Sequence, residues 1–182
     1  MDPAGAMLAL ARRKPLGDRV RWIEADACDL RLPQRFDLVV MTGHVFQVFL
    51  TDAAVRDALL TARAHLVPGG RLAFETRNPQ VRAWATWTPE ASRKRVRVPG
   101  IGLVDIHHEL LAVEADRVRF ATCYRFVETG DTLTVPSTLR FLPQEAVAAH
   151  LAATGFATVV WHGGWKGGPF RPESPEIIAV AR

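Results

Sequence analysis

The chain has 182 residues, of which 48% are hydrophobic and 23% are charged, proportions that match an ordinary globular domain with one sizeable core. Its two cysteines are too few for a disulfide framework, no apolar run reaches the roughly 20 residues that span a bilayer, and the N-terminus has no secretion-signal pattern. We therefore predict a single cytoplasmic domain without a membrane partner. The net charge of +4 comes from 20 Arg and 3 Lys, which is only weak evidence for nucleic-acid binding.

The first half of the chain alternates helical and strand-like patterns. The predicted helices cover residues 4–14 and 51–66, and the predicted strands cover residues 20–25, 36–41 and 71–76. Thr51 and Asp52 can cap the second helix, and Pro68-Gly69-Gly70 is expected to end it before the next strand. Strand, helix and strand at this spacing predict a parallel βαβ unit.

The second half changes to period-two patterns after Pro79. The apolar and polar residues alternate over residues 96–98, 104–112, 117–127 and 132–141. This alternation predicts an antiparallel insertion over approximately residues 80–142, within a single domain that covers residues 1–182. Pro143 then begins a predicted helix that ends at Gly155, and strands are predicted over residues 157–161 and 176–181.

Four short motifs follow one another along the chain. They are Asp2-Pro3, Trp22-Ile23-Glu24-Ala25-Asp26-Ala27, Phe36-Asp37-Leu38-Val39-Val40 and Leu66-Val67-Pro68-Gly69-Gly70-Arg71-Leu72. Their order and spacing resemble class I S-adenosylmethionine-dependent methyltransferases from the second strand of that fold onward, and the resemblance extends through essentially the whole chain. It implies a Rossmann-like α/β sheet with an antiparallel β insertion, S-adenosyl-L-methionine as cofactor, and methyl transfer to a nitrogen or oxygen of a small-molecule acceptor.

The resemblance also implies which residues hold the cofactor. Asp2 would receive the two ribose hydroxyls, Asp26 would accept from the adenine amino group, and Ala27 would present its backbone N–H to the ring. Thr42 and Gly43 would form the floor of the site at the carboxyl end of a parallel strand, where such sheets place their ligand crevice. Asp2 has an equally good interpretation as a helix N-cap, and Asp26 has a second one as a turn residue.

The same segment and the insertion supply the candidate catalytic and acceptor residues. His44 follows Gly43 and can act as a general base or contact the cofactor, although a lone histidine is more often structural. The insertion resembles the antiparallel lid of small-molecule methyltransferases. From it we select Tyr124 as a second catalytic candidate, and Trp84, His107 and Arg140 as acceptor contacts, with Arg140 able to bind an anionic group through two hydrogen bonds.

Two further clusters have competing interpretations. His107-His108-Glu109 suggests a metal site, but adjacent residues on a strand point to opposite faces, so both histidines cannot bind one ion without distortion, and we predict no metal. Arg93-Lys94-Arg95 with Arg97 is either a phosphate-binding track or a charged edge strand that discourages aggregation. The strand predicted over residues 36–41 is followed by Thr42-Gly43-His44-Val45-Phe46 and not by the Asp/Asn-Pro-Pro-aromatic segment that is typical of base-amino methyltransferases. We therefore favour a small-molecule acceptor and no nucleic acid.

The resemblance places Met1 after the first strand and after the glycine-rich turn that holds the cofactor in this family. No such turn precedes Asp2, so we expect apolar sheet edges and weak or absent methyl transfer. Two explanations stay open: a misplaced gene start, which the upstream DNA would test, or a truncated non-catalytic module that forms a homodimer or binds a partner. A domain for another nucleotide is disfavoured because the phosphate-cradling loop and Walker-type lysine are absent.

Overall fold

The computed structural model describes residues 1–182 as two four-stranded sheets with four α-helices. The helices are α1 (Gly5–Arg12), α2 (Asp52–Ala64), α3 (Pro89–Ser92) and α4 (Gln144–Ala153). The strands are β1 (Phe36–Met41), β2 (Leu66–Arg77), β3 (Lys94–Val98), β4 (Gly102–Glu114), β5 (Arg117–Phe126), β6 (Thr132–Arg140), β7 (Val159–His162) and β8 (Glu176–Ala181). No helix is long and apolar enough to cross a membrane.

The first sheet has the strand order β1-β2-β8-β7. β1 and β2 are parallel, joined by α2 as a βαβ unit, whereas β8 pairs antiparallel with both β2 and β7. The Thr51 hydroxyl caps α2 by accepting a hydrogen bond from the Ala54 N–H at 3.1 Å. This arrangement brings the carboxyl end of β1 next to β2, and the carboxyl end of β2 next to the beginning of β8.

The main core lies between the first sheet and two helices, α2 and α4. It consists of 16 buried residues, among which Leu72 and Phe74 of β2 face Leu59 of α2 and Leu151 of α4. Each large apolar side chain buried in this way contributes about 1.5–3 kcal/mol relative to exposure. The βαβ unit therefore has a well-packed face that fixes where its strands end.

The second sheet is an antiparallel meander with the order β3-β4-β5-β6. Two groups of contacts connect it to neighbouring segments of the chain. Trp87 packs against Phe120 of β5 and Phe141, which follows β6, with ring centroids 4.5 Å and 6.1 Å apart. Arg140, at the end of β6, pairs with Asp52 at the first turn of α2 and with Asp116 between β4 and β5.

Two sequence predictions about the first sheet differ from the structure. Residues 20–25 do not form a strand, because only Glu24 pairs, in an isolated parallel bridge with Asp2. The predicted 51–66 helix ends at Ala64, and β2 begins at Leu66 instead of residue 71. Pro68-Gly69-Gly70 lies inside β2, where the register with β1 shifts and Gly69 has a φ of +83°.

β1 is the outer strand of its sheet and has one free edge. Its side chains alternate: Val39 and Met41 contact the core, whereas Leu38 and Val40 are each 55% exposed. The expectation of exposed apolar residues at a sheet edge is therefore met at β1. The free edge of β1 also forms one wall of the largest cavity.

Candidate active site

The chain turns sharply where it leaves β1. Gly43 and His44 follow one another in the left-handed region, with φ values of +75° and +60°, before a short 3₁₀-helix over Val45–Val48. A β-carbon on Gly43 would meet no atom within 4 Å, so this residue faces open space, as a crevice floor requires. The left-handed backbone turns the His44 side chain toward the beginning of β8.

A cavity of about 540 Å³ lies beside β1, within the size range of small-molecule sites. It brings together three of the predicted cofactor residues, Asp2, Ala27 and Thr42. The remaining walls are mostly apolar, with the β1 residues 38–41 on one side and Ile23 and Leu30 on the other. The cavity runs along β1 and reaches Thr42 at the carboxyl end of that strand, whereas the predicted cofactor residues Asp26, Gly43 and His44 are not among its lining residues.

Both predicted cofactor carboxylates also make local hydrogen bonds. One oxygen of Asp2 accepts from the Ala4 N–H at 2.7 Å, immediately before α1, and one oxygen of Asp26 accepts from the Cys28 N–H at 2.8 Å. Each carboxylate keeps a second oxygen for another donor. The capping and turn roles of these residues are thus compatible with a ligand role, since one oxygen serves each purpose.

Two backbone donors near the cavity are free. The N–H groups of Ala27 and Gly43 make no hydrogen bond within the chain, whereas most such groups in folded proteins are paired. Ala27 is half-buried and lines the cavity. A nucleoside ligand with hydroxyl, amino and ring-nitrogen groups fits this set of two carboxylates and two free N–H donors.

Cys28, which follows Ala27 in the sequence, has a thiol of low reactivity. Its thiol contacts the Ala54 carbonyl at 3.6 Å. Burial, and next the hydrogen bond and charge of Asp26, raise the pKa of the Cys28 thiol to about 11. This cysteine is therefore almost wholly protonated at neutral pH, and its side chain packs against the main core.

His44 lies between two glutamates that the sequence analysis did not select. Its backbone N–H donates to Oε1 of Glu75 at 2.8 Å, and its Nε2 lies 3.0 Å from Oε1 and 3.1 Å from Oε2 of Glu176. Glu75 is only 4% exposed, and its Oε2 is buried without any hydrogen-bond partner. An unpartnered buried carboxylate oxygen is costly, which makes Glu75 a candidate binding residue.

A chain of polar contacts links these glutamates to the second sheet. Arg77, opposite Glu176 in the β2–β8 pairing, donates to Oε1 of Gln47 at 2.7 Å. Gln47 is fully buried, and its Nε2 donates to the Arg140 carbonyl at 3.1 Å. Burial lowers the pKa of the Arg77 guanidinium, while the charges of Glu176 and Glu75 oppose that change. The Arg77 guanidinium also lies 5.7 Å from the Trp87 ring centroid.

The predicted acceptor residues divide between the faces of the second sheet. Tyr124 shares a face with His108 and Phe120, the face that contacts Trp87, whereas His107 lies on the opposite face. Trp84 packs edge-to-face on Phe141 at 4.5 Å. His107 is therefore not brought together with Trp84 and Tyr124.

Arg140 is already engaged by carboxylates of the protein. Its Nη2 lies 2.8 Å from Asp52, its Nε donates to Asp116, and only Nη1 is buried without a partner. A two-point contact between Arg140 and an acceptor anion would require one of these pairs to open. The Arg140 hydrogen bond and charge hold the pKa of Asp52 below its ordinary value.

The residues missed by the sequence analysis are Glu75, Glu176, Gln47 and Arg77. One signal could have revealed Glu75 and Arg77: both are charged residues at the carboxyl end of an otherwise apolar parallel strand, where open sheets bind ligands. No comparable signal exists for Glu176, because its position opposite Arg77 depends on the pairing of β2 with β8.

Together, the βαβ unit, the cavity at the carboxyl end of β1 and the attached antiparallel sheet define a class I methyltransferase fold. Comparison with known proteins agrees: residues 1–70 match the family described as "Methyltransferase domain". No curated protein matches the chain. The predicted α/β fold with an antiparallel insertion is confirmed, and the predicted resemblance to class I S-adenosylmethionine-dependent methyltransferases is confirmed at the level of the fold.

Several solved structures have the same fold. The sugar N-methyltransferase KedS8 from Streptoalloteichus sp. aligns with a TM-score of 0.73 and 22% identity, over 98% of this chain and 68% of its own. The CcbJ methyltransferase from Streptomyces caelestis aligns with a TM-score of 0.71 and 21% identity, over 96% of this chain and 68% of its own. The amino pentose methyltransferase CalS10 from Micromonospora echinaspora, solved with S-adenosylmethionine bound, aligns with a TM-score of 0.63 and 22% identity, over 98% and 71%.

Proposed function

We propose that this protein transfers a methyl group from S-adenosylmethionine to an amine nitrogen of a small molecule. The observation that carries the proposal is the continuity between two sites. The cavity that joins Asp2, Ala27 and Thr42 ends at the same turn of chain that places His44 against Glu75 and Glu176. Cofactor and acceptor would therefore meet at the carboxyl end of β1.

The cofactor half of the proposal assigns roles to residues that line or adjoin the cavity. The free carboxylate oxygens of Asp2 and Asp26 would accept from the ribose hydroxyls and the adenine amino group, and the Ala27 N–H would donate to the ring. Thr42, Gly43 and the His44 backbone would form the floor below the amino-acid portion. When bound, S-adenosylmethionine supplies a methyl group on a positively charged sulfur.

The acceptor half of the proposal follows from the charged side chains around His44. Glu75 and Glu176 carry two negative charges around His44, and Arg77 compensates for one of them, so the cluster has a net negative charge when His44 is neutral. A protonated amine would be attracted to this cluster, and the unpartnered Oε2 of Glu75 would accept its N–H. The names of KedS8 and CalS10, a sugar N-methyltransferase and an amino pentose methyltransferase, agree with an amino-sugar-like acceptor.

His44 would hold the proton that the amine must lose before it can react. The Nε2 atom is in contact with Glu176, which would stabilise the imidazolium after proton uptake. Methyl transfer itself needs alignment of the nitrogen with the methyl carbon and exclusion of water. We therefore expect Glu75 and His44 to orient the amine as well as to accept its proton.

The antiparallel sheet would act as the lid over this site, as part of one domain with the first sheet. Trp84 and Tyr124, which lie on the side of Phe141 and Trp87, would provide the apolar wall for the acceptor. Tyr124 would add a hydroxyl that can donate to the acceptor. Arg140 would mainly fix the lid, since its guanidinium already pairs with Asp52 and Asp116.

Calorimetric titration of S-adenosylhomocysteine into the purified 182-residue protein tests the cofactor half. Micromolar binding corresponds to about 8 kcal/mol. The cavity is mostly apolar and open along the free edge of β1. We therefore expect S-adenosylhomocysteine to make roughly three fewer hydrogen bonds here than in a site of micromolar affinity, each worth about 1 kcal/mol. That loss predicts a Kd on the order of 0.1–1 mM. We expect weaker binding still in Asp2→Asn, at a residue that lines the cavity, and unchanged binding in Asp29→Asn, at an exposed residue outside the cavity lining. No difference between the two variants would exclude the proposed cavity.

A second candidate function is a non-catalytic module that forms a homodimer through β1. The observation that favours it is the free edge of β1 with Leu38 and Val40 each 55% exposed. Size-exclusion chromatography with light scattering separates the two candidates. A dimer that becomes monomeric in Val40→Lys, without any binding of S-adenosylhomocysteine, would support the module and contradict the enzyme.

A further inference from the structure

One cluster of metal-ligating side chains lies outside the proposed active site. His107 and Glu109 of β4 and Cys123 of β5 offer an imidazole nitrogen, a carboxylate oxygen and a thiol sulfur that all lie within 4.8 Å of one another. The Nε2 of His107 is 3.1 Å from Oε1 of Glu109. All three residues are half-buried, so their ligand atoms are held by the sheet yet open to an ion from solution.

The register of the sheet creates this cluster. Residues at positions i and i+2 of a strand share a face, which places His107 and Glu109 side by side. Cys123 is the direct cross-strand partner of His107 in the antiparallel pairing of β4 with β5. The cluster lies on the face opposite to His108 and Phe120, and therefore away from Trp87.

The adjacent histidine does not take part. His108 points to the other face, where its Nδ1 lies 3.1 Å from the Thr122 hydroxyl. The sequence argument that two consecutive strand histidines cannot bind one ion thus holds. What that argument could not include was a third ligand from β5, whose register with β4 is not visible in the sequence.

The donor set selects one class of ion. Nitrogen, sulfur and one carboxylate oxygen suit Zn²⁺ and similar transition ions, whereas Ca²⁺ and Mg²⁺ prefer oxygen ligands. A thiolate and a carboxylate would together balance the charge of a divalent ion. Two cations, Arg95 and Arg125, share this face and lie opposite Asp105 on either side. Arg95 is paired with Asp105 through two hydrogen bonds, so its charge is largely compensated.

The spacing of the three ligand atoms is close to that of a tetrahedral site. Bond lengths of about 2.0–2.3 Å to zinc correspond to ligand–ligand distances of roughly 3.3–3.7 Å. The His107–Glu109 separation of 3.1 Å is slightly shorter than this range. The three ligand atoms lie within 4.8 Å of one another, so Cys123 needs to approach by about 1–1.5 Å at most. The Thr134 hydroxyl, 3.8 Å from Sγ of Cys123, adds an outer contact to the sulfur.

We propose that His107, Glu109 and Cys123 form a binding site for a divalent transition ion of the zinc class, with a fourth coordination position open to water or another ligand. Such a site would join β4 and β5 on the exposed face of the antiparallel sheet. It is independent of the proposed methyl transfer.

Cobalt titration of the metal-free, untagged chain tests this site, because Co²⁺ reports both sulfur ligation and coordination number. We expect a one-to-one complex with a thiolate-to-cobalt charge-transfer band and four-coordinate d–d bands. Zn²⁺ should displace the cobalt and raise the Tm. Cys123→Ser should lose the charge-transfer band, and His107→Gln should weaken binding roughly tenfold or more.

Two variants serve as controls. Cys28→Ser removes the other thiol and His108→Gln removes the adjacent imidazole, and both should keep the full spectrum and affinity. The proposal is overturned if the wild-type protein gives only the spectrum of six-coordinate cobalt, or if Cys28→Ser loses the band instead of Cys123→Ser. If Cys123→Ser does not fold, His107→Gln decides the question through its affinity.

Discussion

Replacing Glu75 with glutamine should stabilise the fold while it weakens acceptor binding. Glu75 is 4% exposed; its Oε1 accepts from the His44 N–H at 2.8 Å, but its Oε2 has no partner. In Glu75→Gln the first contact survives, and the unpartnered atom becomes part of a neutral amide. A buried, unpartnered neutral group costs about 1–3 kcal/mol, and a charged one costs more.

We expect Glu75→Gln to raise the free energy of unfolding by about 1 kcal/mol, after allowance for the lost attraction to Arg77. This gain corresponds to a Tm increase of about 2–4 °C for a chain of this size. Thermal unfolding followed by circular dichroism measures this increase. Glu176→Gln is the matched control without the gain, because it alters a carboxylate that is 24% exposed and has two contacts with His44. A Tm decrease in Glu75→Gln would show that the carboxylate is a structural requirement, and would refute the reasoning.

Three further predictions concern other parts of the fold. Because the pKa of the Cys28 thiol is about 11, we expect iodoacetamide at pH 8, followed by mass spectrometry, to modify it roughly 100-fold more slowly than a thiol of ordinary pKa. Leu151→Ala should lower the free energy of unfolding by about 2–5 kcal/mol in urea titrations, whereas Leu60→Ala, at a residue 45% exposed, should not. Since Arg140 lowers the pKa of Asp52 in the folded state, the stability from this pair is present above the unfolded pKa near 4 and is lost as pH falls below it. The pH dependence of Tm below pH 4 should therefore be shallower in Asp52→Asn than in the wild type, and equal slopes would contradict this.

Local patterns explain why most elements were predictable from the sequence. The four strands of the second sheet follow from period-two alternation and from short turns, which require no knowledge of distant pairing. Helix α2 follows from its cap at Thr51 and its apolar stripe. Residues 20–25 show the opposite case: an apolar run becomes a strand only when a neighbour supplies a hydrogen-bond ladder, and here only Asp2 pairs with Glu24.

The sequence directs attention to the candidate site only where that site lies at strand ends. Of the residues that the resemblance selects for the cofactor, Asp2, Ala27 and Thr42 line one cavity, whereas Asp26, Gly43 and His44 do not line it. The contact of His44 with Glu176 joins residues 132 positions apart, and it exists because β8 runs antiparallel to β2 and starts where β2 ends. Neither composition nor periodicity predicts that β8 runs antiparallel to β2. The carboxylate cluster around His44 and the pairing of His107 with Cys123 are therefore visible only in the folded chain.

The two halves of the proposed site are supported by different kinds of structure. The cofactor cavity rests on the βαβ unit, whose strand ends are fixed by apolar packing. The acceptor region rests on polar contacts across the two sheets, in which fully buried Gln47 uses its amide nitrogen and oxygen to join the Arg140 carbonyl to Arg77. A buried polar network of this kind fixes orientation more than it adds stability, since each group must keep its partner. Substitutions in that network should therefore alter acceptor selectivity while they leave S-adenosylhomocysteine affinity unchanged, because no residue of the network lines the cavity beside β1.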